Sequence, residues 1–261
     1  MKTHFRRLFS VVLCVCLLFA LCAPALAITM QIFVRNPLTG KQITLEVAST
    51  DTIASVKEKL WEKEKFPVDQ QTLTFKGTVL EDSLTLEDYG VGKEGQLGLT
   101  VPVAYLDANG ETQTRTDYRY ITWATTAWGA EGEETWYVVS GNVSIGNVTV
   151  SGNVHLILMD GCSLTACGTS DFYDDATIKV TTGDSLTIYA QSDGGDMGAL
   201  TVSEDYLCYG AGIGGCSGDT DKNCGDVTIN GGNITVFGKY ESAAIGGGNG
   251  GAGGVVTING G

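Results

Sequence analysis

The chain of 261 residues is long enough for one large domain or two smaller ones, and its 30 Asp and Glu against 16 Lys and Arg give a formal net charge of −14. The excess is uneven, because residues 104–261 hold five Lys/Arg against nineteen Asp/Glu. Such an acidic half argues against nucleic acid or an anionic membrane as partner, and suits cation binding or plain solubility.

The first residues read as an export signal. Lys2, Arg6 and Arg7 precede an apolar run from Leu8 to Leu21, and Ala25-Leu26-Ala27 makes a small-x-small cleavage site. The run is too short, and too close to that site, for a membrane anchor. Cleavage after Ala27 is expected, leaving a secreted or cell-surface chain with no membrane span in its mature part. Five cysteines then remain (Cys162, Cys167, Cys208, Cys216 and Cys224), and an odd number leaves at least one thiol unpaired or joined to another chain.

A first module is expected over residues 28–103. Met30, Ile32 and Val34 alternate with polar Gln31 and Arg35, and Ile43, Leu45 and Val47 repeat the pattern after Leu38-Thr39-Gly40, which predicts a hairpin. Thr52 is a good N-cap for a helix with the apolar stripe Ile53, Val56 and Leu60, and Pro67 stops it. Leu73 and Phe75 start a further strand, and Leu97 and Leu99 supply the last. The blocks "MQIFV", "LTGK", "ITLEV", "DTI", "VKEK", "DQQ" and "LED" make residues 30–101 resemble ubiquitin along nearly the whole domain.

That resemblance implies an α+β β-grasp fold, a mixed sheet wrapped on one helix. It also implies that the patch gripped by ubiquitin's partners maps to Leu38, Thr74, Gly98 and Thr100, of which only Leu38 is large and apolar. Threonine in place of Ile or Val costs roughly 1–3 kcal/mol of binding per site. The basic tail and terminal diglycine of ubiquitin are replaced by "VPVAYLDANG", so conjugation through this module is not expected. Lys41, Lys57, Lys59, Lys63 and Lys93 match ubiquitin lysines and are expected on a solvated face. Trp61, beside the helix stripe, is expected half-buried at a domain contact, with a binding aromatic as the other reading.

Residues 104–135, with Tyr105, Tyr118, Tyr120, Trp123 and Trp128, are expected to join the modules and to cap the open end of the second one. From residue 136 to 261 the texture is of short strands between Gly, Asn, Asp and Ser, with "SGNV" at 140 and 151 and "VTINGG" at 227 and 256. "GAGIGG" at 210 returns as "SAAIGG" at 242. Short strands, turn-forming corners and echoes predict an all-β, right-handed parallel β-helix, with Val143/Ile145, Val148/Val150, Val154/Leu156/Leu158 and Leu186/Ile188 facing inward. A β-sandwich is the alternative. The texture resembles Gly-rich β-helical regions of secreted and cell-wall proteins of Gram-positive bacteria, some of which bind carbohydrate. With no cap after Gly261, the repeat is expected to continue in a longer parent.

Chemistry is sparse. His155 has no second histidine in the mature chain and alternates with Val154 and Leu156, so it is expected as an outward strand residue without a metal or triad role. Carboxylates cluster at Asp171, Asp174 and Asp175, at Asp193 and Asp196, and at Asp219 and Asp221, all in turn sequences that favour Asp for local bonding. A paired-carboxylate hydrolase or polysaccharide lyase would use Asp193 and Asp196. Calcium is the one cofactor weighed, with Asp219, Asp221 and Asp226 as ligands, although the spacing fits no EF-hand. Cys208, Cys216 and Cys224 fit no zinc pattern, and a disulfide tying an insertion to the solenoid is expected.

The sequence thus predicts a non-enzymatic exported bacterial protein without a cofactor. Its partners would be polysaccharide or a cell-wall or matrix glycan, with protein binding through the ubiquitin-like module at Leu38 or Trp61. A secreted mimic acting on host ubiquitin-handling proteins, and the lyase or hydrolase, are the alternatives.

Overall fold

The computed structural model describes residues 29–36, 40–168, 175–204, 209–218, 221–238 and 241–261. Residues 1–27, Leu38, Asp171, Asp174, Cys208 and Asp219 lie outside the described residues, and with them the export signal and one expected ligand of the calcium site. The chain divides into two compact units after Val101. This falls short of the expected boundary at 103, because Val103 already pairs with Arg115 in a hairpin of the second unit.

The first unit begins with β1 (Thr29–Arg35) and β2 (Gln42–Ala48), antiparallel with Ile32 opposite Leu45 and Val34 opposite Ile43. The period of two puts Met30, Ile32, Val34, Ile43, Leu45 and Val47 on one buried face. Helix α1 (Ile53–Glu64) is opened by Thr52, whose Oγ1 accepts from the Ser55 N–H at 3.3 Å. It closes at Lys65, left-handed at φ 63°, whose N–H donates to Trp61 O. Ile53, Val56 and Leu60 recur at helical spacing and are fully buried. Strands β3 (Thr72–Phe75), β4 (Thr78–Val79) and β5 (Gln96–Thr100) complete a sheet of order β2-β1-β5-β3-β4, with β5 parallel to β1 and antiparallel to β3. One helix on a mixed sheet is the β-grasp arrangement the sequence implied.

The second unit opens with the hairpin β6 (Val103–Leu106) and β7 (Thr112–Arg115), followed by β8 (Arg119–Tyr120). Among the described strands every pairing beyond the hairpin is parallel, the one antiparallel contact being the isolated bridge between Thr181 and Cys224. Strands β9 (Ala127–Val139), β10 (Asn142–Ile145), β11 (Val148–Leu158), β12 (Ser163–Gly168), β13 (Ile178–Lys179) and β14 (Ser185–Ala190) come first. They are succeeded by β15 (Ala199–Glu204), β16 (Ile213–Gly214), β17 (Asp226–Ile229), β18 (Asn233–Val236), β19 (Ile245–Gly246) and β20 (Val256–Ile258).

These strands form three ladders: β10-β12-β15-β18, then the start of β11 with β13-β16-β19, then the rest of β11 with β14-β17-β20. The chain visits them in the same order on every circuit. Val154, Leu186, Val227 and Val256 stack in register through successive circuits. Parallel strands must be joined by crossovers, so their edges and inner faces are buried together. The inward residues expected from the sequence all belong to, or pack on, one apolar cluster that also holds Leu164, Ile178, Leu200 and Ile213.

Two expectations are corrected. β9 starts at Ala127, inside the segment assigned to a junction, and Trp128 is fully buried in this cluster instead of covering its end. Tyr105 lies on the hairpin, and Trp123 is 81% exposed. The run Glu131–Glu134 hides this strand from a hydropathy reading. It is accommodated by a register shift opposite Ser151–Asn153, where Gly129 (φ +80°) and Gly152 (φ +71°) leave no room for a side chain.

Candidate functional site

On the outer face of the second unit, Thr126, Asn147, Thr149, Asp175 and Lys179 line a groove of about 360 Å³. They come from three successive circuits. Thr126 precedes β9 and its carbonyl accepts from the Thr149 N–H (3.2 Å), while Thr149 is opposite Lys179 in the β11–β13 ladder. Asn147 Nδ2 donates to Ala176 O at 3.2 Å, fixing that amide. Parallel stacking therefore sets side chains 23 and 30 positions apart in sequence side by side.

The charges of the groove are arranged around one ammonium. Lys179 Nζ lies 3.1 Å from Asp221 Oδ2. Burial works against its charge, but the hydrogen bond to Asp221 and the fields of Asp221 and Asp175 outweigh it and raise the pKa. Cys216 Sγ donates to Asp175 Oδ1 at 3.2 Å. The other Asp175 oxygen has no partner among the described residues. Upstream, Trp123 sits on a turn closed by the Thr125 N–H to Thr122 O bond (2.9 Å) and by the Thr122 N–H to Thr125 Oγ1 bond (2.9 Å). That turn ends one residue before Thr126.

A second outward cluster is packed instead of open. His155 points away from the core as expected, but its ring stacks on Trp136 (centroids 4.2 Å) and its Nδ1 lies 2.9 Å from Tyr189 Oη. Tyr105 of the hairpin meets Trp136 at 5.0 Å and Tyr189 at 4.9 Å, and the Arg115 guanidinium lies 4.8 Å from the Trp136 ring. Burial lowers the His155 pKa and pushes Tyr189 up to about 12. These groups hold the hairpin to the sheet.

The expected acidic sites are dispersed. Asp221 is committed to Lys179, whereas Asp226 lines a different groove with Asp184 and Asn153. No group of three or more His, Cys, Asp or Glu that could hold a metal occurs among the described residues. Asp193 lines a third groove, of about 270 Å³, with Asp107 and Asn230, and Asp196 is not part of its wall. Asp107 is occupied by the hairpin turn, its Oδ1 accepting from the Asn109 and Glu111 N–H groups. The expected disulfide is absent among the described residues: Cys162, Cys167, Cys216 and Cys224 are free thiols. Burial pushes both Cys216 and Cys224 up to about 11, which keeps them protonated and unreactive.

In the first unit, Trp61 is 43% exposed, with Lys65 Nζ 5.5 Å from its ring centroid. Thr74 and Gly98 face each other across β3 and β5, and a Cβ at Gly98 would run into Thr74 Oγ1. Lys41, Lys63 and Lys93 are exposed as expected, whereas Lys57 is buried and Lys59 half-buried. Lys57 is 9% exposed and pairs with Asp82 at 2.7 Å. Lys59 donates to Glu46 O (3.0 Å) and Lys63 to Thr44 O (2.7 Å), covering the outer edge of β2.

Residues 32–101 match the model of the Ubiquitin family. Ubiquitin-like protein 4A of Danio rerio is 35% identical over 84 residues, 32% of this chain and 54% of that protein. Its counterpart in Anoplopoma fimbria is 36% identical over 71 residues, 27% of this chain and 46% of the relative. That of Xenopus tropicalis is 40% identical over 72 residues, 28% and 48% of the two chains. The chain spans about half the length of the curated relatives it matches.

Proposed function

We propose that the chain is an exported, non-enzymatic binding protein of bacterial type. Its ubiquitin-like module serves as a stable structural or adhesive element, and its second unit, read as a right-handed parallel β-helix, holds glycan or matrix on its outer face. The single observation that carries the binding half is the groove at Thr126, Thr149 and Lys179, whose walls come from three successive circuits and set a few polar groups on a largely apolar lining. Export rests on the signal pattern of residues 1–27. The non-conjugating role rests on β5 running on through Val101 into the hairpin, with neither Arg nor diglycine between. Asp193 lines a groove whose wall does not include Asp196, which favours binding over hydrolysis. Incubation of residues 28–261 with insoluble bacterial cell-wall polysaccharide tests this. Retention without release of reducing ends is expected, and either no retention or steady release overturns it.

The similarity of the first module to vertebrate ubiquitin-like proteins favours one second reading, a mimic directed at host ubiquitin-handling proteins. The polar face at Thr74, Gly98 and Thr100 opposes it. Incubation with ubiquitin-activating enzyme and ATP is expected to give no thioester, and tight docking on a standard ubiquitin receptor would establish the mimic instead.

A further inference from the structure

We infer that the groove lined by Thr126, Asn147, Thr149, Asp175 and Lys179, with Trp123 on the turn just upstream of it, is a recognition site for a neutral, hydroxyl-rich sugar chain. This deepens, and rests on, the glycan-binding reading above. At about 360 Å³ the cavity falls at the lower end of the range of small-ligand sites (about 300–1,000 Å³), which suits a short stretch of sugar.

Its chemistry is that of paired hydroxyl recognition. A sugar hydroxyl both donates and accepts, and here an acceptor carboxylate at Asp175, a donor ammonium at Lys179 and the amphoteric hydroxyls of Thr126 and Thr149 converge. Trp123, 81% exposed on the turn that ends beside Thr126, offers a flat apolar face of the kind that covers the C–H face of a sugar ring. No other tryptophan of the described residues is as exposed; Trp61 reaches 43% and lies in the first unit.

Charge decides between classes of glycan. Lys179 is already neutralised by Asp221, with Asp175 close by, and residues 104–261 are strongly acidic. A uronate or sulfate would meet repulsion, while a neutral chain would not. The parallel ladder also orients the site, since its walls succeed one another across the strands and the chain lies across the circuits, not along one strand.

The test is titration of residues 28–261 with laminarihexaose, maltohexaose and chitohexaose against hexagalacturonate. Calorimetry and tryptophan fluorescence are read together. At least one neutral oligosaccharide is expected to bind and to shift the emission of the exposed indole, with hexagalacturonate at least about tenfold weaker. Trp123→Ala should weaken binding by about tenfold and abolish the fluorescence response, and Thr149→Val should weaken it by about threefold. Both side chains are exposed, so an unchanged melting curve certifies each variant. Neutral-chain binding that both variants leave intact sinks the assigned site while keeping the glycan reading. Preference for hexagalacturonate sinks the ligand class. Absence of binding by all four, together with no retention on cell-wall polysaccharide, removes both.

Discussion

Leu164→Ala tests the stacked interior of the second unit most directly. Leu164 is fully buried in β12, and the register places it between Val143 of β10 and Leu200 of β15. Backbone ladders on both sides hold those neighbours in place, so the space left by the side chain cannot close. The loss should therefore lie in the middle of the range for buried Leu→Ala, about 3–4 kcal/mol. For a unit of this size, each kcal/mol lowers the midpoint by about 2–4 °C, which makes roughly 10 °C in all. The matched control is Ile234→Ala in β18, a partly buried residue of the same row with a described ladder neighbour on one side only, Leu200. Its cost should be about 1–2 kcal/mol. Differential scanning calorimetry of residues 28–261 should show one transition falling and the other unmoved, because Leu164 belongs to the cluster of the second unit and not to that of the β-grasp. Equal losses at Leu164 and Ile234, or both transitions moving together, would refute the stacking argument.

Burial holds the folded-state pKa of His155 below its ordinary value, so the stability tied to its neutral form is complete above about pH 6.5 and drains away as pH falls through the lowered value. Urea midpoints measured from pH 8 to pH 5 should fall at the acid end in the wild type and stay flatter in His155→Gln. Asp107 and Glu134 are held below the ordinary carboxylate range, Asp107 by the Asn109 and Glu111 N–H groups and Glu134 by Trp136, so their share is lost only below about pH 4. Thr52→Ala removes the hydroxyl that accepts from the Ser55 N–H and should lower β-grasp stability by about 1 kcal/mol, read as a drop in its own transition. The double change Lys59→Met and Lys63→Met uncovers the Glu46 and Thr44 carbonyls on the β2 edge. Sedimentation should then show concentration-dependent association that the wild type lacks.

The β-grasp was legible because its signals are local. Alternation at Met30, Ile32 and Val34, a cap at Thr52 and a stripe at Ile53, Val56 and Leu60 each lie within one element, and each residue is buried where its period puts it. Lys57 escaped, since its long stem lets a charged residue lie along the core while its ammonium reaches Asp82. In the second unit the inward valines and leucines were equally plain, yet β9 was hidden by the acidic run Glu131–Glu134, most of which falls in the four residues Ala130–Glu133 that the register shift leaves unpaired. The groove could not be read at all. Thr126, Thr149 and Lys179 become neighbours only once the spacing of the circuits is known, and nothing in the sequence around Trp123 shows that its ring stays outside. The disulfide expectation failed for a related reason, because cysteine spacing says nothing of which thiol meets a carboxylate such as Asp175.

The placement of β1 and β5 side by side and parallel, at the centre of the first sheet, has a mechanical consequence. Chain enters the module through one of these strands and leaves through the other. A pull that separates the two ends drags them lengthwise past each other, so bonds such as Phe33 N–H to Gly95 O bear the force together instead of parting in turn. A load applied between the two ends of the module would therefore have to break several such bonds at once.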